Sequence, residues 1–141
     1  MTAGIPHTPD INIKTKKAKG HFDIEASPIG AFFTNDVIMT KGQGILRLTG
    51  THIHSNESIR VTVYIGDGPG SFEGEIVSDD VPPWGFYDID TTGYQASRGK
   101  VKSTYIPNQL HVTLEFSFFI NIKGQEHEVK GEANIQYFDE L

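Results

Sequence analysis

An all-β domain of antiparallel strands is what the sequence predicts, and three observations carry it. From Val112 to Lys123, Val112, Leu114, Phe116, Phe118, Ile120 and Ile122 fall on one face of an extended chain, with Thr113, Glu115, Ser117, Asn121 and Lys123 on the other and Phe119 its one apolar intruder. Side chains that alternate with a period of two mark a half-buried strand, and no helical stripe competes here. Glycine-bearing turn signals recur every ten or so positions, the spacing of a sandwich or barrel. No stretch offers a capped amphipathic helix.

The elements follow in chain order. Residues 1–10, with Pro6 and Pro9, read as a flexible N-terminal arm, and residues 11–141 as one β-domain. Strands are expected at Ile11 to Lys14, His21 to Ala26 and Phe32 to Met39. Leu46 and Leu48 set an inward face that reaches Gly50, where a bulge is expected. After a Ser55-Asn56 turn, Ile59, Val61, Val63 and Ile65 face one way and Arg60, Thr62 and Tyr64 the other, completing a hairpin. Ser71 to Val77, Phe86 to Asp90 and Lys100 to Ile106 are further strands. Across a turn at Lys123-Gly124-Gln125, Val129, Gly131, Ala133, Ile135 and Tyr137 alternate with Glu128, Lys130, Glu132, Asn134 and Gln136, so the last two strands form a long hairpin. The total is about eight to ten strands in an antiparallel β-barrel or β-sandwich.

Bulk composition bounds the function. At 141 residues the chain buries roughly two-thirds of its unfolded surface, enough for a core without staples. Hydrophobic residues are 37% and aromatics 11%, which suits sheets with one wet face. There is no cysteine, so disulfides, thiolate catalysis and cysteine-based zinc sites are excluded. The net charge of -6 repels phosphate backbones, and no nucleic-acid partner is expected. Lys14, Lys16, Lys17 and Lys19 form a local exception, read as a solvated edge. Met1 to Asp10 has neither a basic nor an apolar signal region, which predicts no signal peptide and leans toward the cytoplasm. The longest apolar-rich run, Leu114 to Ile122, is too short and polar to span a bilayer, so no transmembrane segment is expected.

In order, the second half reads Gly70-Ser71-Phe72, Trp84-Gly85-Phe86-Tyr87, Gly93-Tyr94, Gly99-Lys100-Val101, Leu114-Glu115-Phe116-Ser117-Phe118 and then Gly131 to Tyr137. This succession resembles small bacterial β-domains of unknown function, often lipid-anchored and lipocalin-like (calycin-like) in outline. The resemblance covers about Ile45 to Phe138 and implies a fold, with no chemistry attached.

Candidate chemistry is sparse. His52 and His54, spaced i and i+2 on a strand, share a face and with Glu57 form a metal-ligand candidate. Strand-end polar residues beside a turn explain the same pattern. Asp88, Asp90, Thr92 and Gly93 partly imitate a calcium loop, but its twelfth position is Gly99 where a bidentate Glu belongs. Gly66-Asp67-Gly68-Pro69-Gly70 lacks the following helix that a phosphate cradle needs. Among Glu73, Glu75, Asp79, Asp80 and Glu115 no spacing selects a catalytic pair.

Val81-Pro82-Pro83-Trp84-Gly85-Phe86-Tyr87 concentrates rigid aromatic surface, which suits either recognition or a plug at one end of the fold. Small inward residues, Gly50, Ser103, Gly131 and Ala133, either accommodate Phe116 and Phe118 or leave room for one small apolar ligand. The expectation is therefore a non-catalytic binding module for a small apolar ligand or a protein surface. Its contacts are expected at Trp84, Phe86, Tyr87, Gly131 and Ala133, with no cofactor. The alternatives are a metal-dependent or acid-base enzyme in a barrel mouth around His52 and His54, and a structural protein that forms homo-oligomers through its edge strands.

Overall fold

The computed structural model describes residues 14–77 and 80–137. Eleven strands follow in order: β1 (Lys14–Ala26), β2 (Phe32–Thr34), β3 (Val37–Gly42), β4 (Ile45–His54), β5 (Glu57–Gly66), β6 (Gly70–Ile76), β7 (Trp84–Ile89), β8 (Thr92–Gln95), β9 (Arg98–Ile106), β10 (His111–Ile122) and β11 (Gln125–Tyr137). The expected arm at 1–10 and all but Lys14 of the first expected strand lie outside the described residues. The one helical element among those described is a 3-10 turn at Pro107–Gln109. Among the described residues, no helix is long and apolar enough to cross a membrane.

All pairings are antiparallel, in the order β6-β9-β10-β11-β1-β3-β4-β5-β7-β8 with β2 also on β1. They divide into two sheets that share β1 and do not close into one barrel. Lys14 to Lys17 pair with β3 in the first sheet, whereas Ala18 to Ala26 pair with β11 in the second. Strands that serve two sheets need a bend, and glycine supplies it. Gly20 sits at φ 145° with its α-carbon opposite Ile135, and an added Cβ would lie 2.0 Å from the Asn134 carbonyl oxygen. No L-residue fits there without moving backbone.

Three hairpins turn on two-residue loops with both residues at positive φ: Gln43-Gly44, Ser55-Asn56 and Lys123-Gly124. This twist matches the strands it joins, which is why these loops pin the register. The long C-terminal hairpin pairs Ile122 with Gln125 through to His111 with Gln136, so its alternation holds along the whole length. Several local expectations change: the strand expected at His21 to Ala26 begins at Lys14, and β8 was not expected, so the described residues hold eleven strands where about eight to ten were expected. Gly50 is not a bulge; the ladder runs through it without a break, Val37 to Gly50 to Val61. It is small because a Cβ there would meet the Phe22 ring at 2.7 Å. The irregularity lies instead at Ile24/Ala26 in β1. Phe32 to Met39 is two strands, because the Thr34 hydroxyl accepts from the Asp36 amide at 3.0 Å and donates to the Thr51 carbonyl oxygen, closing a turn where one strand was expected.

The inner faces form one core that includes Phe22, Leu48, Val61, Val63, Tyr87, Leu114, Phe116 and Phe118. Glycines make room for Phe118: a Cβ on Gly85 would meet its ring at 2.7 Å, and one on Gly99 its Cβ at 2.5 Å. Burial holds the hydroxyls of Tyr64 and Tyr87 neutral, raising both above the ordinary 10.0; Arg47 beside Tyr64 and Ser27 beside Tyr87 offset part of this. Because the folded-state values lie above the unfolded one, this stability is complete below pH 10.0 and is lost as pH rises through the folded values. Urea midpoints will therefore fall on the alkaline side of pH 10.0, and a Tyr64→Phe, Tyr87→Phe variant will show a shallower fall. Gly20→Ala will cost about 3 kcal/mol by the same measurement, through backbone strain.

Candidate functional site

Of the residues first expected to make contacts, Trp84, Phe86 and Tyr87 are packed into the body of the fold, whereas Gly131 and Ala133 each border a surface concavity. Trp84 and Phe86, each 5% exposed, lie on the outer face of the first sheet around Tyr64, with ring centroids 5.6 Å from it in edge-on arrangements. Ile45 packs against the same cluster. Tyr87, pointing the other way from β7, is in the main core. Ala133 is buried opposite Leu114 and Phe22. Gly131 has a different reason to be small: a Cβ there would lie 2.5 Å from the Asp23 carbonyl oxygen, so β11 and β1 approach closely beside the β1 irregularity.

His52 and His54 do share a face of β4, and His54 pairs in register with Glu57. His52 stacks on Phe32 with ring centroids 4.7 Å apart and planes at 11°, so its imidazole covers one rim of the core. Among the described residues, no three His, Asp or Glu side chains are grouped to hold a metal. The Asp88 to Gly93 segment is a hairpin turn between β7 and β8. Asp90 accepts the Ser58 amide at 2.8 Å, and Asp88 lies 3.6 Å from the Arg60 guanidinium, so both carboxylates brace β5. Gly66 to Gly70 carries the chain from the first sheet to the second, anchored by the Asp67 amide on the Gly44 carbonyl at 3.0 Å. Asp79 lies outside the described residues.

The outer face of the second sheet is chemically different. Register aligns Glu73 on β6, Lys102 on β9, Glu115 on β10, Glu132 on β11 and Asp23 on β1 in a single cross-strand row. These residues are distant in sequence, and only the strand order 6-9-10-11-1 brings them together. The row borders two concavities. One, of about 620 Å³, includes Asp23, Glu25, Glu73, Lys100, Lys130 and the Gly131 backbone in its lining; the other, of about 210 Å³, includes His21, Thr104, Thr113 and Asn134. Lys102, Glu115 and Glu132 belong to both. Phe33, half-exposed, stacks on His21 at 5.2 Å and ends the row beyond Asp23.

Around this row the face is tied together. Ser117 donates to Glu128 at 2.7 Å, Arg98 bridges to Glu126 at 2.9 Å while covering the Phe119 ring at 3.9 Å, Lys130 sits 3.7 Å from Glu25, and His111 hydrogen-bonds Asn134 at 2.7 Å. Glu73, Lys102, Glu115, Glu132 and Asp23 have no such side-chain partner among the described residues. Glu115 faces Glu132 and Glu132 faces Asp23, and like charges directly opposite destabilise a sheet. The sequence reading missed this row because it needs a register. The alternation of β10 and β11 did put Glu115 and Glu132 on wet faces, but not opposite each other.

Glu132→Lys, which sets a cation between two carboxylates, will stabilise the fold by about 0.5 kcal/mol in low salt and by less as salt screens the row, read from urea midpoints. His52→Ala will cost about 1 kcal/mol through the lost Phe32 stack. No protein family, curated protein or solved structure matches the chain.

Proposed function

We propose that the chain is a non-catalytic binding module that engages a protein surface through the outer face of its second sheet. The observation that carries this reading is the row Glu73–Lys102–Glu115–Glu132–Asp23, whose charges are left without side-chain partners beside two concavities. A sheet that tolerates two successive like-charge pairs gives up stability, and local conflicts of this kind gather where a protein meets something else. A partner that places cations over Glu115 and Glu132 relieves the conflict and fixes its own orientation by charge pattern.

The architecture is read as a sandwich of two sheets rather than a barrel around a lumen, and this weighs against the small apolar ligand. Tyr87 lies in packed core and Trp84 and Phe86 are nearly covered, while the concavity beside Gly131 mixes charged side chains with Ile24, Val101 and Phe116, and the smaller one, which Ala133 lines, is mostly polar. The lipocalin-like resemblance bears on the outline of the fold and brings no ligand with it.

Chemical-shift mapping tests the reading. A small basic protein and a long-chain fatty acid are titrated separately into labelled protein at low salt. The expected shifts for the basic protein cluster on the outer faces of β1, β9, β10 and β11, fade with salt, and weaken roughly tenfold in Glu115→Gln, Glu132→Gln. Saturable fatty-acid binding with shifts at Tyr87, Ala133 and Trp84 would overturn it in favour of the apolar ligand.

A further inference from the structure

A second surface lies beside the charged face, at the free edge of β6. The strand order ends at β6, and among the described residues nothing pairs with its far side. Such an edge presents a row of backbone N–H and C=O groups ready to template another strand. Proteins usually blunt their edges, and the others here are short: β8 has four residues and β2 three. β6 has seven, Gly70–Ile76, with no proline, lysine or bulge, in an unbroken ladder with β9.

Its side chains state what it would accept. Ser71, Glu73 and Glu75 face outward, with Glu73 beside Lys102 and Glu75 beside Lys100. Phe72 and Ile76 face inward; Phe72 remains 42% exposed and lies over Gly74, where a Cβ would come within 2.4 Å of the ring. A strand laid along this edge would therefore meet carboxylates at two alternate positions on one face, with apolar cover from Phe72 on the other.

A second copy of the chain does not satisfy that pattern. Two-fold antiparallel pairing that keeps the faces aligned must be centred on one residue. Centred on Gly74, it pairs Phe72 with Ile76 but sets Glu73 against Glu75 twice. Centred on Glu73, it opposes that carboxylate to itself. Both place like charges directly opposite, and centring on Phe72 shortens the pairing to Gly70–Gly74, sets Glu73 against Ser71 and gives neither carboxylate a cation. We propose that the free edge of β6 accepts, by antiparallel strand addition, an extended segment of a partner protein in which two basic residues flank one apolar residue. The bases face Glu73 and Glu75, and the apolar side chain lies against Phe72. Main-chain hydrogen bonds supply the attachment, and the alternating side chains choose the sequence.

The probe is a synthetic hexapeptide of alternating lysine and valine, compared with the same peptide N-methylated on the amides of one edge. Amide hydrogen exchange within Gly70–Ile76 should slow on adding the plain peptide, the N-methylated peptide should have no effect there, and Glu75→Lys should weaken binding roughly tenfold. Equal binding by the N-methylated peptide would reduce the effect to charge alone and overturn the proposal. So would shifts confined to the Glu115–Glu132 row with β6 amides unaltered, a result that leaves the charged face as a site while removing the edge. A concentration-dependent dimer in which β6 amides are already protected would overturn it too, in favour of self-pairing.

Discussion

The change of partner along β1 is the constraint on which the rest of the molecule depends. One strand hydrogen-bonds to β3 through Lys14 to Lys17 and to β11 from Ala18 onward, so the two sheets are joined by continuous backbone as well as by side-chain packing. Gly20, with no Cβ, lets the backbone pass close to Asn134, and the irregularity at Ile24/Ala26 continues the bend beside Gly131. Phe22, between these two points, is held where its ring fills the space left by Gly50 in the opposite sheet. A single local geometry thus sets how the sheets meet, which rings fill the core and where the outer face of the second sheet becomes concave.

Much of this was legible in the amino-acid sequence wherever one face is dry and one wet. The β10–β11 hairpin and the β4–β5 hairpin could be read from alternation alone, because burial of one face leaves a period of two that nothing else produces. The segments around β1 to β3 resisted the same treatment. Phe32 to Met39 is apolar enough for one strand, yet the Thr34 side chain captures backbone groups and divides it. The glycines resisted for a related reason. Gly50, Gly85, Gly99 and Gly131 are small for the sake of a ring or a backbone that lies far away in sequence, and a smallness read locally looks the same as a bulge or a cavity.

The candidate site was less legible than the fold. The sequence directed attention to clusters of neighbours, Trp84 to Tyr87 and His52 to Glu57, and folding put most of these to structural use: Trp84 and Phe86 in an aromatic cluster on Tyr64, Tyr87 in the core and His52 on Phe32. The charged row has the opposite character. Its members come from five strands and acquire meaning only across the ladder, where each carboxylate is an ordinary solvated side chain until its neighbour's sign is known. Electrostatic patterns on sheets are properties of register, so they stay hidden until pairing is established.

The seam between β1 and β11 has a consequence for how the chain reaches its structure. Ala18 pairs with Tyr137, so the backbone that unites the sheets joins segments more than a hundred positions apart. Closing so wide a loop costs chain entropy before any contact compensates it, and folds dominated by such distant pairings assemble slowly. On the ribosome, the β4–β5 hairpin can form early, while the concave outer face must wait for β11 to emerge. Until then β1 and β10 each lack their central neighbour, and the chain spends its riskiest interval with two strands still seeking β11.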